Sequence, residues 1–160
     1  MSKTNSRTKL QELLDDASYL GDELEALKFV IESVPYREKP YGEQSILEMI
    51  AVIDHAQEHI YKPIFEQAAK SKTIHETEVR EFNFNQDKVT SVIKFLNSII
   101  GHRAALMKII NKIHEDSWND PVKEDGPTVL DFLSNMIDNE RDQLRKVAER
   151  VMALNNENGS

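Results

Sequence analysis

No cysteine occurs anywhere in the 160 residues. Disulfides, thiolate metal sites, cysteine nucleophiles and thiol redox switches are therefore excluded, and the composition fits a reducing compartment. Glycine and proline are scarce, at five each. Most of them fall between apolar-periodic runs, as Pro35, Pro40, Gly42, Pro121, Gly126 and Pro127 do, which is the punctuation of long helices. No stretch of about eighteen apolar residues is available to span a bilayer. The start, Met1 to Arg7, is polar and lacks the apolar core of a signal peptide. The chain is expected to be cytoplasmic, neither secreted nor membrane-embedded. Positive charge is also in deficit, with 28 acidic against 20 basic residues and a formal net charge of -8. Without a block of Lys and Arg, such a chain repels phosphate backbones, so no nucleic-acid partner is expected.

What is present is helical period. The first run carries Leu10, Leu13, Ala17, Leu20, Leu24, Leu27, Ile31 and Val34, spaced by threes and fours, and predicts a helix over residues 6 to 34 with Asn5 or Ser6 as its cap and Pro35 as its stop. A second opens at Ser45, with Glu48 three residues on to close a capping box. It continues through Ile46, Met49, Ile53, Ala56, Ile60 and Ile64, with a kink at Pro63. From Ser71 to Asn85 the period is lost, with Phe82 and Phe84 exposed. A segment of that length suits a crossover that returns along a bundle. A third run, about Gln86 to Glu115, places Val89, Val92, Leu96, Ile99, Arg103, Leu106, Ile110 and Ile113 inward. A fourth, starting at Thr128 and Asp131, does the same with Leu130, Leu133, Ile137, Glu140, Leu144, Val147, Val151 and Leu154, and its tail from Asn155 is expected to fray. With no strand pattern, the expected fold is all-α: one four-helix bundle domain over residues 1–160.

Few constellations carry chemistry. The chain has no G-x-S-x-G elbow, no glycine-rich phosphate loop, no H-E-x-x-H and no Glu-x-x-His pair. His55 and His59, four residues apart on the second helix, can face the same way and share a divalent ion if another helix adds a ligand such as His102. Equally, such a pair arises by chance on a half-polar face. His75 and His114 fall near helix ends and read as surface residues. Arg103 and Glu140 are different, because each puts a charge on an otherwise apolar stripe, which is costly unless the two are paired. Arg103 lies twelve residues before Glu115 and Glu140 twelve after Thr128, equal heights in an antiparallel pair, so a salt bridge inside the bundle is predicted.

Ser45-Ile-Leu-Glu48, His114-Glu-Asp-Ser-Trp118, the lead-in Asp125 to Leu133 and Asn139-Glu-Arg-Asp-Gln143 together resemble the DinB/YfiT-like superfamily in order and spacing. That resemblance implies a four-helix bundle with a long crossover between helices 2 and 3, a tendency to dimerise, and metal-assisted hydrolase-like or thiol-transferring roles. It also implies a divalent metal held by three histidines, one seven residues after the serine that opens helix 2 and two as an H-x-x-x-H pair on helix 4. In this sequence those seats are Val52, Asn139 and Gln143, and Gln44 replaces the family's tryptophan before the serine. Valine cannot ligate a metal, and carboxamides are weak ligands for zinc or nickel. The expectation is a DinB-like bundle without the family's cofactor metal, binding a small molecule or a partner through a polar inner pocket of Arg103, Asn139, Glu140 and Gln143, as a homodimer. The competing expectation is a metal-dependent hydrolase or thiol transferase that carries zinc or nickel on a relocated site of His55, His59 and His102.

Overall fold

In the computed structural model, residues 2–70, 73–75 and 80–159 are described, with side chains described for residues 7–70, 73–75 and 80–156. Among them the chain is all-α, built as four helical rods. The first is α1 (Ser2–Ala26), prolonged by 3-10 turns at Leu27–Phe29 and Ile31–Ser33. The second is α2 (Ile46–Ala56), a π-helical turn Gln57–Tyr61 and α3 (Lys62–Ala69). The third is α4 (Val92–Asn111) and the fourth α5 (Val129–Gly159). No described helix is long and apolar enough to cross a membrane.

The first rod differs from expectation at both ends. Its helix already runs at Ser2, ahead of the expected caps, and the α-winding stops at Ala26. Beyond it the backbone closes three-residue rings, with Val30 N–H donating to Leu27 O, Ser33 to Val30 and Val34 to Ile31. Such rings wind tighter than α, yet Leu27, Ile31 and Val34 stay buried. Val34 is extended before Pro35 (ψ 157), as the steric demand of proline on its predecessor requires.

Ser45 opens α2 as its sequence announces. Its hydroxyl accepts from Glu48 N–H at 3.1 Å while the Glu48 carboxylate accepts from Ser45 N–H at 2.9 Å. The expected kink takes the form of the π turn. Pro63 has no N–H to give to His59 O, and its ring crowds that carbonyl. The chain widens one turn earlier instead, with Lys62 N–H donating to Gln57 O. The wide turn shifts the residues within and after it, so Ile60, expected inside, is 39% exposed while Tyr61 is buried; Gln57, four residues after Ile53, is buried where the turn begins.

Residues 71–72 and 76–79 of the expected crossover lie outside the described residues. Of its two phenylalanines, Phe82 is exposed as expected, whereas Phe84 is half-buried, packed on Phe95 with ring centroids 5.5 Å apart. The third helix starts later than its apolar period predicts. Gln86–Lys88 is a separate 3-10 turn capped by the Asn85 side chain, Val89 is extended, and Ser91 caps α4 through Lys94 N–H. The α4–α5 connection buries Trp118 in a short 3-10 turn and closes with a bridge between Pro121 and Thr128. Thr128 and Asp131 then bond each other's backbone N–H at 3.1 Å, starting α5. That helix continues through Gly159 rather than fraying at Asn155.

Between the rods lie Leu20 and Leu24, Ile46, Leu47 and Ile50, Phe65, Leu96, Leu106 and Ile110, and Leu133 and Met136, all almost wholly buried. Polar pairs fix the directions. Lys28 meets Asn97 and Ala17 meets Arg103, so α1 and α4 run oppositely. Gln57 meets Glu140 and Glu43 meets Arg150, so α5 runs against the second rod. Ser45 meets Gln86 and Asp54 meets His102, numbers that rise together.

Candidate functional site

Glu140 is 3% exposed on the inner face of α5, and Arg103, 8% exposed on α4, meets it as a two-pronged pair. Arg103 Nε donates to Glu140 Oε2 at 2.9 Å and Nη2 to Oε1 at 2.8 Å, the bidentate fork that guanidinium and carboxylate favour. Nη2 also donates to Ala17 O, and the Gln57 amide donates to Glu140 Oε2. The salt bridge predicted from two charged residues on apolar stripes is therefore present. With its charge matched and three hydrogen bonds accepted, Glu140 acts as a structural anchor.

Beside this anchor, between α2, the π turn and α5, lies a cavity of about 120 Å³. Val52, Ile53, Ala56 and Met136 make its apolar wall, while Gln57, Tyr61, Asn139, Glu140 and Gln143 make its polar one. Asn139 donates to the Tyr61 hydroxyl at 2.9 Å. Burial pushes the Tyr61 phenol up in pKa, against the opposing pull of that hydrogen bond, so the hydroxyl stays protonated at neutral pH and remains a donor.

The structure thus brings Val52, Asn139 and Gln143 to one cavity, together with Glu140. Asn139 stands at its exposed mouth rather than inside. Arg103 does not line it; its flank faces a groove between α1 and α4 that also holds Gly21, Asp22 and Glu25. Gln57 and Tyr61 were missed in the sequence: Gln57 stands on the apolar stripe between Ile53 and Ile60 but is polar, and Tyr61 turns inward only because of the π turn. The fit of a three-histidine metal fails on donor chemistry, as one seat is an alkyl group and two are carboxamides.

His55 and His59 do lie side by side, with ring centroids 4.9 Å apart and planes tilted by 54°. His55 Nε2 is 2.8 Å from Arg80 O and its ring meets Phe82 edge-on. His102 turns instead to Asp54, Nδ1 to Oδ1 at 3.0 Å. His75 and His114 are exposed.

An all-α bundle with a small, half-polar cavity between two rods is the class these features define. No family model, no curated protein and no solved structure matches the chain.

Proposed function

We propose that the chain is a DinB-like bundle whose cavity takes a small, neutral, polar molecule in place of the superfamily's metal. One observation carries this reading: the three positions that the resemblance assigns to metal ligands line one cavity, and none bears a ligating side chain for zinc or nickel. A cavity of about 150 Å³ holds a molecule of benzene's size, so 120 Å³ admits roughly five or six heavy atoms. Because Arg103 already balances Glu140, the polar wall offers amides and a phenol without net charge. It suits a ligand with both donors and acceptors and disfavours ions, which would lose hydration without gaining a counter-charge.

The same reading places the long connection before α4 as the superfamily's crossover, supported by Ser45 meeting Gln86 just ahead of α4 and Asp54 meeting His102 within it, residue numbers that rise together. It also places the protein in the cytoplasm, as a homodimer. The competing hydrolase or transferase reading has less support, since His102 engages Asp54 rather than His55 and His59.

The test is side-chain amide NMR with a panel of acetamide, urea, acetate and methylammonium. Acetamide or urea is expected to move the Asn139 and Gln143 amide signals, and Val52→Phe, which fills the apolar wall, to abolish the effect. The reading fails if no neutral probe moves those signals, or if Val52→Phe leaves the shifts unchanged.

A further inference from the structure

A second group of side chains lies outside the cavity, on the seam between the second rod and α4. Asp54 and Glu58 stand one turn apart, and His102 reaches toward them from α4. One ligand atom from each of the three lies within 4.8 Å of the others, and among the described residues no other group of three such side chains comes together. None of the three lines the cavity beside Glu140.

The protein alone leaves this group incomplete. Glu58 Oε1 is fully shielded from solvent and has no hydrogen-bond partner, a state that costs free energy unless a cation or water completes it. The other Glu58 oxygen meets Lys62 Nζ only at 3.5 Å, at the outer edge of a hydrogen bond. Two carboxylates thus share the charge of one lysine and the hydrogen bond of one imidazole. The residue that carries the orphan oxygen sits in the π turn, a feature often found where a helix aims side chains at a ligand.

We propose that Asp54, Glu58 and His102 bind a divalent transition ion of the zinc and manganese class, with water filling its open positions. Two ligands each about 2.1 Å from an ion stand roughly 3 to 4 Å apart. The present spread, up to 4.8 Å, is wider than that by about an ångström, a gap the ion has to draw in. The mixed donor set selects the class: an imidazole favours transition ions over magnesium and calcium, and two carboxylates without thiolate exclude the softest ions. The ion takes the place of the hydrogen bond between His102 and Asp54. His55 and His59 stay outside the site, the former being held by Arg80 O and Phe82.

The test is Zn2+ titration by calorimetry of the chelator-treated full chain at neutral pH, with Mg2+ as the comparison. One equivalent of Zn2+ is expected to bind, with no comparable binding of Mg2+. Glu58→Gln and His102→Gln are each expected to weaken it roughly tenfold or more, and the His55→Ala, His59→Ala double variant to bind as the parent does. On the unmodified protein, substoichiometric Mn2+ is expected to broaden the amide signals of Asp54, Glu58 and His102 first, which keeps the proposal open to failure even if a variant does not fold. Absence of saturable Zn2+ binding overturns it. So do loss of binding in the double variant, retention in both Glu58→Gln and His102→Gln, or Mn2+ broadening centred elsewhere, such as on Asp138 and Asp142.

Discussion

Arg103 is held from three sides: by Glu140 on α5, by Ala17 O on α1, and by the space left at Gly21, where an added Cβ would stand 2.7 Å from Nη1. Breaking a buried pair strands the survivor without its counter-charge, so Arg103→Met and Glu140→Leu are each expected to destabilise by about 2 to 5 kcal/mol. Replacing both by apolar residues of similar volume should recover much of that loss, a coupling that denaturant titration of the singles and the double measures. If the two losses simply add, the pair contributes nothing as a pair. Gly21→Ala extends the same cycle. Alanine favours a helix over glycine by about 1 kcal/mol, yet here it displaces a pinned guanidinium, so it should destabilise the parent and stabilise the Arg103→Met, Glu140→Leu background. The pair was legible because two charges interrupt clean stripes at matching heights. The Gly21 vacancy was not, since nothing in the spacing tells which neighbouring helix the guanidinium leans on.

At the scale of elements, caps were legible and endings were not. Ser45 with Glu48 and Thr128 with Asp131 form the boxes their spacing announces, because those bonds are local. The start of α4 was misjudged by several residues, as Val89 carries the apolar period while its backbone is extended; burial and helicity are separate demands. The Ser45 box also has a pH signature. The hydrogen bond from Ser45 N–H, followed by Lys39, holds the Glu48 carboxyl below its ordinary range against the opposing effect of burial. A carboxyl lowered on folding adds stability above its unfolded pKa and loses it as pH falls through the folded one. Glu48→Gln should therefore destabilise at neutral pH, by less than about 1 kcal/mol for so partly exposed a group. The difference between the two proteins should vanish on acidification through the carboxylate range. Thermal melts across pH check this, and a difference that grows toward acid would contradict it.

For the whole molecule, the bundle architecture followed from four periodic runs, but what covers its outer faces did not. Tyr19, Phe29, Val30 and Met152 remain exposed, and apolar residues left on a helical surface are the raw material of a symmetric contact. Light scattering is expected to return the mass of a pair, with Phe29→Lys and Met152→Lys together shifting it toward one chain. A single-chain mass for the parent would remove the dimer from the proposed function. The π turn has another consequence, in how this chain can be compared with others. A π turn holds one residue more than the α turn it replaces, which in alignment terms is a one-residue insertion inside a helix. Against a relative of unbroken α-winding, Ser45 and Val52 align without a gap, but Pro63, Phe65 and Ala68 come into register only if a gap is opened between Gln57 and Tyr61.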